Sequence, residues 1–190
     1  MQRLLQFAFL TLTSVGAANA GLLGSNITLN YLFPDAGTIY SSDNLAVTGG
    51  VEVTCTGGGA GNAAVCNALT APIQTVDIFD SGLTYTYTGS GSSFNTLSFN
   101  GFSFENLVYG AGITGVSLAT DIPGLTLANV SFTSTSVRIN LAGFSISGPS
   151  TFFTLNLEPS PAAVTPEPAS FLFVLGALPL LLPVFRRRTR

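Results

Sequence analysis

Between residues 21 and 158, apolar and polar residues alternate in short runs separated by Gly, Asn, Asp and Ser. The runs are Ile27 to Tyr31, Leu45 to Val53, Ile73 to Phe79, Thr84 to Thr88, Leu97 to Phe104, Gly115 to Leu118, Leu125 to Phe132, Val137 to Phe144 and Phe152 to Leu157. A period of two carried by β-branched and aromatic residues marks half-buried strands. No helical period of useful length interrupts it. The pattern predicts an all-β domain, an antiparallel β-sandwich or jelly roll.

One run specifies more than a strand. In Leu97-Ser98-Phe99-Asn100-Gly101-Phe102-Ser103-Phe104, the Asn-Gly pair is the strongest short turn signal, because both central residues of a type I′ turn take positive φ. A hairpin there sets Phe99 against Phe102 and Leu97 against Phe104 on a core face, with Ser98 and Ser103 facing water. A single strand bulged at Gly101 also puts Phe99 and Phe102 on one face. In both readings the phenylalanines are core rather than a row for stacking on sugars.

Both ends of the chain depart from alternation. Arg3 precedes an apolar run from Leu4 to Val15, and Ala18-Asn19-Ala20 satisfies the small-x-small rule of signal peptidase. Residues 1–20 are therefore expected to be a signal peptide, cleaved after Ala20 and carried by the general secretory translocon. At the other end, Pro159, Pro161 and Pro166 make a stiff, extended linker over residues 159–168. Residues 169–190 then hold an uncharged, mostly apolar run from Phe171 to Phe185, closed by Arg186, Arg187, Arg188 and Arg190.

As a helix rising about 1.5 Å per residue, that run reaches about 22 Å, against a hydrocarbon core of about 30 Å. It is expected to be one short transmembrane helix, marginal in length and weakened by Pro179 and Pro183. Snorkelling arginines and local bilayer thinning make up the difference. By the positive-inside rule the four arginines keep the C-terminus in the cytoplasm and place Pro166, Glu167 and Pro168 on the outer side of the inner membrane.

The stretch Val164 to Ser170, with its Pro166-Glu167-Pro168 triplet followed by a membrane segment and an arginine cluster, closely resembles the sorting signal of the PEP-CTERM family. The resemblance covers about residues 164–190 and nothing before them. It implies that exosortase, an integral membrane cysteine protease, recognises Pro166, Glu167 and Pro168 and cuts close to them. Prolines donate no backbone hydrogen bond and favour an extended chain, the form a protease cleft accepts. The resemblance also implies a Gram-negative bacterium that makes exopolysaccharide. Its inner-membrane anchor would be transient: the domain first faces the periplasm and is then released to the cell surface or extracellular matrix.

Charge narrows what the exported domain can do. Residues 21–158 hold eight acids (Asp35, Asp43, Glu52, Asp77, Asp80, Glu105, Asp121 and Glu158) and one base, Arg138, for a net charge of −7. Nucleic acid is excluded as a partner, since phosphate contacts need clustered Lys and Arg. The chain has no His, which removes Ser-His-Asp and Cys-His nucleophile arrangements and the commonest general base. Carboxylates alone can hydrolyse glycosides, and Asp77 with Asp80, or Glu105, are the candidates. Asp77 and Asp80, three apart at a strand end before Ser81-Gly82, are what a solvated turn commonly carries, and a Ca²⁺ site could use the same pair.

Cys55 and Cys66 flank a segment containing Gly57, Gly58, Gly59 and Gly61. In an oxidising compartment such a pair is expected to form a disulfide; without C-x-x-C or His it lacks the partners of a redox or metal site. The expected protein is thus exported and non-enzymatic, with no catalytic residue, cofactor or metal, and is structural or matrix-associated, with exopolysaccharide a candidate partner. Two alternatives stand beside it: a carbohydrate-binding adhesin using Tyr85 and Tyr87 on one strand face, and a carboxylate-based hydrolase.

Overall fold

The alternating runs form eleven strands in a computed structural model that describes residues 21–69 and 73–160. In chain order they are β1 (Asn26–Leu32), β2 (Ile39–Ala46), β3 (Val51–Gly57), β4 (Ala60–Gly61), β5 (Ile73–Phe79), β6 (Gly82–Ser93), β7 (Gly101–Glu105), β8 (Ile113–Thr120), β9 (Val130–Phe132), β10 (Ser136–Asn140) and β11 (Ser145–Pro159). A single helical turn, α1 (Val65–Ala68), and a 3₁₀ turn at Leu127–Asn129 are the helical pieces among the described residues. None of these is long and apolar enough to cross a membrane. The expected signal peptide, sorting motif and membrane segment lie outside the described residues.

The strands make two sheets, one ordered β2-β1-β7-β10-β9 and the other β4-β3-β5-β6-β11-β8, with every paired neighbour antiparallel. The inward residue of each alternating pair is buried against the opposite sheet. Leu29 and Tyr31 on β1, Phe102 and Phe104 on β7, and Val137 and Ile139 on β10 meet Val76 and Ile78 on β5, Leu83, Tyr85 and Tyr87 on β6, and Phe153 and Leu155 on β11. Burying each such side chain contributes about 1.5–3 kcal/mol. Rings cross the gap directly: Phe102 lies 5.3 Å from Tyr85 and 6.4 Å from Phe153, while Tyr85 stacks on Phe153 at 5.1 Å.

Several boundaries moved. The run Leu45 to Val53 is not one strand; it spans the end of β2, a break at residues 47–50 and the start of β3. Most of β2 escaped the pattern because it is an edge strand with no fully buried residue, and its polar Ser41-Ser42-Asp43-Asn44 gives no apolar alternation. Of Leu125 to Phe132 only the last three residues pair as a strand, after the 3₁₀ turn.

The Asn100-Gly101 hairpin does not form. Neither residue has positive φ, β7 begins at Gly101, and its neighbours are β1 and β10 rather than residues 97–100. Gly101 serves a different need. A Cβ there would sit 2.1 Å from the Ile139 carbonyl oxygen, so only glycine lets β7 and β10 approach. Asn100 is buried, its side chain tied to Tyr31 and to the backbone at Asn95. Ser103, expected to face water, is fully buried on the outer face of the central strand and bonds Glu105. Positive φ is needed elsewhere, at Gly57, Gly58 and Gly59, which turn β3 into β4.

Replacing Gly101 with alanine is expected to destabilise the domain by about 1–3 kcal/mol, the usual cost of overpacking. Urea unfolding of the variant measures it. An unchanged midpoint would contradict the close β7–β10 approach.

Candidate functional site

Among the residues singled out from the sequence, the cysteines are joined. Cys55 on β3 and Cys66 in α1 form a disulfide with Cα atoms 5.2 Å apart, both side chains buried in the core. The bridge ties the helical turn onto the sheet. Asp43 holds the same turn from β2, its carboxylate oxygens accepting from the Ala64 and Val65 amides at 2.6 and 2.8 Å.

The carboxylates offered for hydrolysis are not brought together across a groove. Asp77 alternates with inward Val76 and Ile78 on β5, so it lies on the outer face of one sheet; Glu105 follows inward Phe104 on β7 and lies on the outer face of the other. The core separates those faces. Glu105 accepts from the Ser103 hydroxyl and forms an ion pair with Arg138 at 3.1 Å. Asp80 sits in the β5–β6 turn, where its backbone carbonyl accepts from the Leu22 amide at 2.9 Å.

The remaining acids mostly hold backbone. Glu52 accepts from the Thr48 and Ile78 amides at 2.8 and 2.7 Å, bridging the irregular β3–β5 register, and Asp121 accepts from the Phe152 amide at 2.7 Å. Asp35 closes its own turn through the Gly37 amide and the Thr38 hydroxyl. Among the described residues no group of three His, Cys, Asp or Glu is placed to hold a metal ion.

Tyr85 and Tyr87 do share one strand face, yet that face is the core, and each ring is 1% exposed. A surface stacking platform is therefore ruled out for them. Phe99, Phe102 and Phe104 are buried as well. The tyrosines instead line a cavity of about 220 Å³ between the sheets. It opens where β1 and β6 end and β5, β7 and β11 begin, so one end of the sandwich supplies all its walls.

Its floor is a set of hydroxyls and amides. The Tyr31 hydroxyl donates to Asn100 Oδ1 at 2.5 Å, and the Tyr85 hydroxyl donates to Gln74 Oε1 at 2.5 Å. The Tyr87 hydroxyl is buried without a hydrogen-bond partner among the described residues. Ser93 and Asn95 stand exposed at the cavity's rim. Phe33, Phe94 and Ile146 supply apolar wall, and among the described residues no acidic or basic side chain lines the space.

Burial shapes the electrostatics here. Desolvation, with the nearby Tyr40 hydroxyl adding to it, pushes the Tyr31 phenol up from 10.0 to about 12. Desolvation, followed by the neighbouring Tyr87 and Tyr31, drives Tyr85 upward as well. Both phenols are thus held protonated, as donors, through the whole neutral range.

No protein family model, curated protein or solved structure matches the chain. The cavity's chemistry therefore has to be read from its own residues. Sequence reasoning picked out Tyr85 and Tyr87 but missed Tyr31, Gln74 and Asn100. Gln74 carried a usable signal, a polar residue in the inward row Gln74-Val76-Ile78; Asn100 was absorbed into the turn reading.

Replacing both Cys55 and Cys66 with alanine is expected to cost about 3 kcal/mol by the loop-entropy model for a separation of 11 residues, seen as a lower urea midpoint. A midpoint equal to wild type would show that the bridge contributes nothing. The phenols give a second expectation. Because the folded pKa of Tyr31 exceeds its unfolded value, the folded state holds that proton longer, so its stabilisation is complete below pH about 10 and is lost as pH rises through about 12, while Tyr85, also raised by desolvation, acts in the same direction. Stability measured against pH should fall in that window, and Tyr31→Phe should flatten the fall. An identical slope in the variant would count against it.

Proposed function

We propose that this is an exported, non-enzymatic protein of the cell surface or exopolysaccharide matrix, delivered by a PEP-CTERM-type tail and freed by exosortase. The observation that carries this reading is the Pro166-Glu167-Pro168 triplet, followed by one apolar run and then Arg186, Arg187, Arg188 and Arg190. A signal peptide ending at Ala18-Asn19-Ala20 starts the route through the translocon and signal peptidase. One short transmembrane helix holds the β-sandwich at the inner membrane, domain outward, until cleavage.

Three features of the domain suit that destination. The buried Cys55–Cys66 bridge belongs with an oxidising compartment. Its acids mostly serve backbone amides, leaving a surface of Ser, Thr, Asn and Gly that does not attract polyanions. Three of the four sheet edges are blunted, by short length at β4 and β9 and by the polar centre of β2, leaving β8 as the one long edge strand, an arrangement that limits edge-to-edge association.

Mass spectrometry of the protein from cells with and without exosortase tests the reading. The expected result is a mature C-terminus near Pro166 to Pro168, lost when Pro166, Glu167 and Pro168 are all changed to alanine. Secreted protein that still ends at Arg190 would sink it.

A further inference from the structure

The long edge strand β8 is paired on one side only, with β11. On β11 the Leu157 amide donates to the Ser81 carbonyl, toward β6, while the Phe152 amide reaches Asp121 on the β8 side. Alternation then turns Thr154, Asn156 and Glu158 toward β8, where they pair Ala119, Ser117 and Gly115. The backbone N–H and C=O groups of Val116, Leu118 and Thr120 therefore point out of the sheet, and among the described residues none of these groups has a partner. The start of the strand is covered, since the Ile113 amide donates to the Ser134 carbonyl at 2.9 Å. The open stretch is thus residues 116–120, with Leu118 at its centre.

The core is left open along the same flank. Val116 and Leu118 share a row with Leu157 and Leu155, which are buried, yet are themselves only half-buried. On the facing sheet β9 is the edge, and Phe132, in register with buried Val137, is 44% exposed. Residues 113–120 and 126–137 carry no charge. The nearest acids are Asp121, engaged with the Phe152 amide, and Glu158 on β11. In a domain of net charge −7, two copies can meet on this flank without setting acids directly against each other.

An open edge calls for a strand of matching length. Among the other sheet edges of this chain β4 and β9 are too short, and β2 is polar and held to α1 through Asp43. A second β8 fits, because an antiparallel pair of identical edges is self-complementary and closes, leaving neither copy with a long free edge. We propose that β8 pairs antiparallel with β8 of a second copy about a two-fold axis at Leu118, joining the two six-stranded sheets into one. Leu118 then faces its own copy, Val116 faces Thr120, and Ser117 faces Ala119. This pairing does not depend on how the protein is sorted.

Sedimentation equilibrium of the full chain in detergent, up to about 100 μM, should show a dimer, the association expected of a Kd in the micromolar range. Leu118→Pro removes only an outward N–H and leaves the β11 ladder intact, and Val116→Lys puts a charge into the paired row. Each should keep the β-sheet circular dichroism of the wild type and dimerise at least about tenfold more weakly. A third variant weakens nothing: Ser117→Cys with Ala119→Cys, both exposed positions in a protein without free cysteines. Mild oxidation should cross-link it as a dimer, because opposed residues of a non-hydrogen-bonded antiparallel pair have Cα atoms about 4.5 Å apart, within disulfide reach. Three results would each overturn the proposal: a wild-type chain that stays monomeric throughout, a dimer equally strong in Leu118→Pro and Val116→Lys, which would assign association to the tail or another face, or a dimer that the paired cysteines do not cross-link.

Discussion

Contact between aromatic rings across the sandwich is the constraint on which the rest of the molecule depends. Phe102, on the central strand of one sheet, touches Tyr31 and Phe104 within its own sheet and Tyr85 and Phe153 in the other, with centroids 5.3–6.4 Å apart. Such pairs contribute about 0.5–1.5 kcal/mol each beyond the area they bury. Because β7 must carry Phe102 into this cluster while lying close against β10, residue 101 has to be glycine and residue 100 has to turn inward. The cavity follows from the same packing. Tyr31 and Tyr85 are fixed by their ring contacts, and their hydroxyls then reach Asn100 and Gln74 at the point where the rings no longer fill the gap.

Around this core, polar groups are used locally. Acids accept from backbone amides where the chain leaves or re-enters a sheet: Asp43 at α1, Glu52 at the β3–β5 irregularity, Asp121 beside β11. Each bond replaces a ladder partner that an irregular backbone would otherwise leave unpaired. Carboxylates engaged in this way have a structural reason to be where they are. The disulfide does similar work for the helical turn α1, which is too short to hold its own conformation.

Legibility varied with how local the cause was. β1 and β5 were read almost to the residue, because half-burial imposes alternation on the strand itself. β2 was lost because an edge strand without a buried face has no such alternation. The Asn100-Gly101 pair was misread because two different requirements, a positive φ and a close backbone approach, select the same residue. The approaching atom is the Ile139 carbonyl oxygen, far along the chain, so no short-range rule distinguishes the two. In the cavity, Tyr85 and Tyr87 were visible as neighbours on one strand, whereas Tyr31, Gln74 and Asn100 come from separate segments and acquire a common purpose only when the sheets close.

The chain's own order of residues determined that the domain is β, that its two cysteines pair, that no histidine chemistry is open to it, and that its tail resembles a sorting signal. Each of these depends on residue type, on composition or on spacing within a few residues. Tertiary structure alone decided which way the tyrosines face, why residue 101 is glycine, that Asp77 and Glu105 stand on opposite outer faces, and where an uncharged cavity opens. Those are distances between strands, and strand order depends on which apolar faces can be buried together, a choice made by the whole chain at once.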